Sequence, residues 1–101
     1  MLTYDMANLT NMKTMAEVAP EAMAAFKAFD KAAFADGALD VKVKELIAVA
    51  VGVTTQCPYC IEIHAKRAKQ AGATDAEITE ATMVAAAICA GGAVTHATHA
   101  L

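Results

Sequence analysis

The chain is punctuated as a series of helices and nowhere as a sheet. No stretch alternates apolar and polar residues over β-branched positions between turn signals, as a half-buried strand requires. Leu9, Met12, Met15 and Ala16 sit at helical spacing, which predicts a first short helix over residues 8–18. Pro20 suits the first turn of a second helix, running to about Ala35 and ended by Asp36-Gly37 through a left-handed glycine cap. Met23, Phe26, Phe29, Ala33 and Phe34 give that helix an apolar arc, read as core or interface filling. Asp40 is an N-cap for a third helix, Val41 to about Val53, whose second half is apolar all round and is expected to be buried on every side. After the break at Thr54–Gln56, Cys57-Pro58 opens a fourth helix ending at Gly72. Thr74-Asp75-Ala76-Glu77 is a capping box for a fifth, expected to reach about Ala90. Gly91-Gly92 is expected to separate it from a sixth segment, AVTHATHAL.

The punctuation therefore predicts an all-α domain of about six helices over residues 1–101, a length that suits one domain with a modest core. Hydrophobic residues make up 57% of it, more than so small an interior can hide. A homo-oligomer that covers apolar helices with copies of itself is expected. The net charge of −3 supplies no basic excess for phosphates, so no nucleic-acid partner is expected. Lys66, Arg67 and Lys69 form too short a cluster to be more than a solvated helix face. The apolar run Leu46–Val53 is far too short to span a bilayer, and no membrane partner is expected. The opening MLTYDMANLTN has neither a basic n-region nor a hydrophobic h-region, which points to the cytoplasm. In a reducing compartment, a close cysteine pair is catalytic or metal-binding more often than a structural staple.

That pair lies in Cys57-Pro58-Tyr59-Cys60-Ile61-Glu62-Ile63-His64. Pro58 at the first helical position makes Cys57 the N-cap, facing unpaired backbone N–H groups and the positive end of the helix dipole. Both favour thiolate, the reactive form of cysteine. Cys60 is one turn up the same face, near enough for a disulfide. His64 is one turn further, where an imidazole can take a proton from Cys60 or hold its thiolate as an ion pair. Other chemistries use the same residue types. C-x-x-C and a histidine supply three of four zinc ligands, with Cys89 or Glu45 available as the fourth. Zinc knuckles, however, usually place C-x-x-C in a turn. Buried inert thiols are a second alternative. The thioredoxin reading needs a βαβ context that the chain lacks.

Glu45, eleven intervening residues and then Cys57-x-x-Cys60-x-x-x-His64 together resemble the AhpD-like branch of the carboxymuconolactone decarboxylase family. The resemblance runs over about residues 42–81 and includes Ala68-x-x-x-Gly72-Ala73-Thr74-x-x-Glu77-Ile78-x-Glu80, with a later glycine-glycine pair at Gly91-Gly92. It implies an all-helical protomer, a hexamer built as a trimer of dimers, and reduction of a hydroperoxide or disulfide substrate by the cysteine pair without cofactor or metal. A dithiol such as a lipoyl group would regenerate the pair. In the family the more C-terminal cysteine, here Cys60, attacks; His64 and Glu45 relay the proton; Cys57 resolves the sulfenic acid before irreversible oxidation. The dipole argument makes Cys57 the more acidic thiol, so Cys60 would draw its activation from His64.

The resemblance has one departure. Characterised members carry a histidine between the cysteines, where this chain has Pro58 and Tyr59. A phenol does not shuttle protons near neutral pH as imidazole does, which leaves thiol–disulfide exchange or redox sensing as an alternative to peroxidase activity. Decarboxylation, which the family name suggests, belongs to members that generally lack C-x-x-C. A zinc-stabilised assembly module is the remaining alternative. Judged without the resemblance, Glu45 beside Lys42 and Lys44 reads as a solvated residue. Glu62 is expected to face solvent, His96 and His99 to be exposed near the C-terminus, and Cys89 to be a small buried hydrophobe.

Overall fold

A computed structural model describes residues 4–101; Met1–Thr3, part of the stretch read for a leader, lie outside the described residues. The fold is all-helical, as the punctuation predicts. Its elements are a 3-10 segment Met6–Asn11, α1 (Met12–Val18), α2 (Pro20–Phe34), α3 (Val41–Thr54), α4 (Pro58–Gln70), α5 (Asp75–Ala97) and a 3-10 turn Thr98–Ala100. The chain divides into two units, one ending at Asp40 and one running from Val41 to Leu101.

In the first unit α1 packs on α2. The expected helix over residues 8–18 begins instead as a 3-10 segment, capped by the Asp5 carboxylate, which accepts from the Ala7 N–H at 2.9 Å. Pro20 occupies the first turn of α2 as expected. The helix ends at Phe34 because Ala35 turns to extended backbone (φ −68°, ψ 150°), not because a glycine caps it. Met12, Met15, Ala19, Ala22, Met23 and Phe26 line an open apolar groove of about 530 Å³ between α1 and α2.

In the second unit α3 packs on both α4 and α5. The buried positions of α3 are Glu45, Val49 and Gly52, spaced by four and three residues along one face. The expectation that its second half is buried on every side is not met. Ile47, Val51 and Val53 are exposed in the protomer, because α4 and α5 cover only part of the helix.

The corners of this unit are two Schellman caps. At the end of α3, Gln56 N–H donates to Val53 C=O (3.2 Å) and Cys57 N–H to Gly52 C=O (3.0 Å). At the end of α4, Gly72 N–H donates to Lys69 C=O (3.0 Å) and Ala73 N–H to Ala68 C=O (2.9 Å). Each cap needs one left-handed residue: Gln56 at φ 56° and Gly72 at φ 96°. Ala68 and Ala73 are buried against this second corner, which then passes into the capping box of α5. There Thr74 Oγ1 accepts from Glu77 N–H, and Glu77 Oε1 accepts from Thr74 N–H.

α5 departs most from expectation. It runs unbroken through Gly91-Gly92. A mid-helix glycine costs only about 1 kcal/mol relative to alanine, too little to stop a helix built from MVAAAICA on one side and AVTHA on the other. Leu46–Val53 is too short to span a bilayer, but the unbroken helix Asp75–Ala100 is long and apolar enough to do so by length and composition. None of that window is buried: Met83, Val84, Ile88 and Val94 are all exposed. Cys89 is likewise an exposed free thiol and not the buried hydrophobe expected, because only one side of α5 faces α3.

Candidate active site

The first turn of α4 is built as its sequence dictates. Cys57 has extended backbone (φ −101°, ψ 97°), Pro58 follows at the first helical position, and the Cys57 sulfur accepts from Cys60 N–H at 3.3 Å. Sulfur therefore stands where an N-cap oxygen usually does, at the positive end of the helix. Cys57 and Cys60 are joined by a disulfide, with Cα atoms 5.3 Å apart, inside the ordinary range for such a bond.

One turn beyond Cys60, His64 reaches across to α3. Its Nδ1 lies 2.6 Å from Glu45 Oε2. An ionised carboxylate only accepts, so with Glu45 ionised Nδ1 carries the proton of this bond and Nε2 is the nitrogen that can exchange one. Glu45 is 4% exposed. A carboxylate is rarely so buried without a partner. Its neighbours Lys42 and Lys44 made it look solvated, yet the face it shares with Val49 and Gly52 turns inward. Lys42 instead reaches Glu77 on α5, Nζ to Oε2 2.6 Å.

Two rungs thus connect antiparallel α3 and α4: Glu45 to His64, and Gly52 to Cys60. At the second rung a Cβ built on Gly52 would lie 3.2 Å from Cys60 Cβ, 3.5 Å from Ile61 N and 3.6 Å from Ile61 Cγ1. The helices approach this closely because Gly52 has no side chain. Sequence reasoning missed Gly52. Its signal was an isolated glycine inside a strong helix, which costs stability unless it serves a close approach.

All four residues singled out in the sequence, Glu45, Cys57, Cys60 and His64, belong to this α3–α4 pair. His96 and His99 are exposed as expected and lie beside each other, with ring centroids 6.2 Å apart. Glu62 is exposed, also as expected. Among the described residues no three or more histidine, cysteine or acidic side chains are grouped to hold a metal ion.

Residues 20–101 match the model of the carboxymuconolactone decarboxylase family. The chain belongs to that family. It is 57% identical over 77 residues, 76% of this chain and 69% of the relative, to a Paracoccus denitrificans protein named only as uncharacterized protein 4 in the cox locus. It is 36% identical over 87 residues, 86% of this chain and 77% of the relative, to an uncharacterized protein of Cupriavidus necator. Among solved structures, a protein from Methanobacterium thermoautotrophicum superposes with a TM-score of 0.81 at 39% identity, covering 86% of this chain and 98% of that one. The apo form of a carboxymuconolactone decarboxylase family protein from Legionella pneumophila superposes with a TM-score of 0.76 at 37% identity, covering 89% and 80%. The disulfide-forming pair in a member of this family is compatible with its AhpD-like branch.

Proposed function

We propose that this protein reduces hydroperoxides with Cys57 and Cys60 as a dithiol–disulfide couple. The observation that carries the reading is the disulfide across the first turn of α4, one turn from a buried Glu45–His64 pair. The Cys60 thiolate attacks the distal oxygen of ROOH, the O–O bond breaks, and ROH leaves after taking a proton. Cys60 becomes a sulfenic acid. The Cys57 thiolate attacks that sulfur, forming the disulfide and releasing water. Two thiols are oxidised and one peroxide is reduced. A small-molecule or protein-borne dithiol, such as a lipoyl group, restores both thiols by exchange.

His64 serves this chemistry through Nε2. It takes the proton from Cys60 and returns it to the leaving alkoxide, while Glu45 fixes the tautomer and stabilises the imidazolium that forms. The oxyanion-side and thiolate-side demands are thus met by one ring held in one orientation. Titrating thiols before and after one equivalent of hydrogen peroxide, with mass analysis of the peptide holding both cysteines, tests the reading. Loss of two thiols to a Cys57–Cys60 disulfide, reversed by dihydrolipoamide, is expected. Thiols protected until a chelator is added would replace the enzyme with a zinc-stabilised module.

A second reading has its own support. Tyr59 stands where peroxidase members carry a histidine, which favours thiol–disulfide exchange as the principal activity. A disulfide substrate reduced much faster than any hydroperoxide would select it.

The same reading includes a homo-oligomer, a hexamer by family resemblance. Its support is the exposed apolar surface of α5 and α3, with Met83, Val84, Ile88, Val94, Ile47 and Val51 open in the protomer. Sedimentation of a species several times 10.4 kDa is expected. A monomer that partitions onto phosphatidylcholine vesicles would instead assign α5 to a membrane.

A further inference from the structure

Gly52 touches both halves of the redox pair. Its carbonyl accepts the Cys57 N–H at 3.0 Å and the Thr55 hydroxyl at 3.4 Å. Its Cα faces Cys60 so closely that an added Cβ would stand 3.2 Å from Cys60 Cβ. Such a separation is tighter than ordinary packing, and the neighbour would have to shift by a few tenths of an ångström. Cys60 is held in the first turn of α4, where the neighbour cannot yield by rotating a flexible side chain. Any shift therefore moves the Cys60 backbone.

We infer that Gly52 is a positioning residue that sets the thiol–disulfide equilibrium of Cys57 and Cys60, an inference that rests on the redox reading of that pair. The physical argument concerns two anchors on one residue. Cys57 is fixed to α3 through the Gly52 carbonyl, and Cys60 lies so near α3 that a Cβ on residue 52 would crowd its Cβ at 3.2 Å. Together they hold the two cysteines at a separation that suits a disulfide. A methyl group on residue 52 pushes Cys60 outward and leaves the Cys57 anchor in place. The disulfide has a narrow range of acceptable separations, whereas two free thiols have none. The change therefore weighs on the oxidised form and shifts the equilibrium toward the dithiol.

The test is the equilibrium of the full chain with oxidised and reduced dithiothreitol, read by alkylation and mass analysis. Gly52→Ala is expected to raise the fraction of dithiol, lowering the oxidation constant about tenfold, or about 30 mV for a two-electron couple. Val49→Ala alters a buried neighbour on the same face of α3 and leaves Gly52 itself unchanged. It is expected to lower Tm and to leave the equilibrium within about twofold of the unaltered protein. A folded Gly52→Ala with an unchanged equilibrium would overturn the inference, as would an equal shift in Val49→Ala, which would mean that general loosening is enough. Should Gly52→Ala fail to fold, Gly52→Ala/Ile61→Ala makes room beside the methyl and carries the same measurement. Hydrogen exchange of the unaltered protein gives a variant-free arm. The Cys57 amide is expected to be protected in both redox states, and free exchange in the dithiol form would remove one anchor and the inference with it. Failure of the redox reading looks different, since the unaltered protein would then form no Cys57–Cys60 disulfide in any dithiothreitol mixture.

Discussion

The two corners of the second unit follow one plan with different residues. Both end a helix in a Schellman cap and start the next helix within a few residues. The corner from α4 to α5 uses the residues the plan favours: Gly72 in the left-handed position, Thr74 at the N-cap, Glu77 closing the capping box. The corner from α3 to α4 departs at the corresponding positions. Gln56 takes the left-handed conformation, Cys57 is at once the last residue of one cap and the N-cap of the next helix, and sulfur replaces oxygen as the acceptor. A left-handed non-glycine costs roughly 1–2 kcal/mol. Where one corner is locally ideal and its twin is not, the departures fall at the corner to which the proposed function assigns the chemistry.

The largest expected effect tests whether the departing corner is chemical at all. His64→Ala should slow the reaction of reduced protein with hydrogen peroxide by ~10²–10⁴-fold, the usual contribution of a general acid–base group. Stopped-flow loss of thiol measures it. An unchanged rate would reduce the α3–α4 corner to a second structural corner with unusual residues. Glu45→Gln should cost less, because the side chain keeps its shape and an acceptor oxygen but no longer stabilises an imidazolium. Its effect is expected as a slower reaction with hydrogen peroxide, smaller than that of His64→Ala. Glu45→Ala would add a stability loss of about 1–3 kcal/mol, since a part-buried hydrogen bond to His64 Nδ1 is lost.

The sequence carried the better corner more openly than the chemical one. Thr74 and Glu77 form a local signal, four residues long, that needs no tertiary context. Cys57-Pro58 was legible for the same reason, since proline announces the first turn. Glu45 was not, except through family resemblance. α3 is apolar almost all round, so periodicity cannot tell which side packs, and two flanking lysines argued for solvent. Gln56 hid the first Schellman cap because glycine is its usual mark, and Gly52 passed as filler in an apolar run. On α5, two adjacent glycines resembled a break, yet a Cβ on either would meet nothing within 4 Å. They neither end the helix nor serve a close approach inside the protomer. Exposure of Cys89 and of α5 as a whole depends on what covers the helix, which no local pattern encodes.

Exchanging the left-handed residues sharpens the comparison further. Gly72→Ala should destabilise by about 1 kcal/mol. The cost is confined to the backbone, because a side chain at Gly72 has open space around it while φ 96° disfavours it. Gln56→Gly should do the reverse and stabilise by about 0.5–1 kcal/mol, the left-handed penalty removed less the extra chain entropy of glycine. Urea unfolding of both variants measures the pair. Opposite signs are expected. A loss in both would mean that the Gln56 side chain holds the chemical corner by contacts that outweigh its backbone cost.

The smallest effect concerns the ion pair that ties the better corner back to α3. Glu77 has its pKa lowered from 4.5, first by the hydrogen bond with Lys42 and then by the backbone bond from Thr74. A carboxylate favoured in this way in the folded state contributes stability above its unfolded pKa and loses it as pH falls through the lower folded value. Glu77→Gln isolates the charge, since glutamine also closes a capping box. The Tm difference between the unaltered protein and Glu77→Gln should therefore be largest near neutral pH and shrink as pH falls below about 4.5, the pKa of an unperturbed glutamate. It should also shrink in high salt, as a partly exposed pair is screened. Glu45→Gln gives the contrast from the chemical corner, because its pair is buried and salt should touch it far less. Equal salt sensitivity in both variants would break the comparison, for it would put Glu45 and His64 in contact with solvent as freely as Lys42 and Glu77.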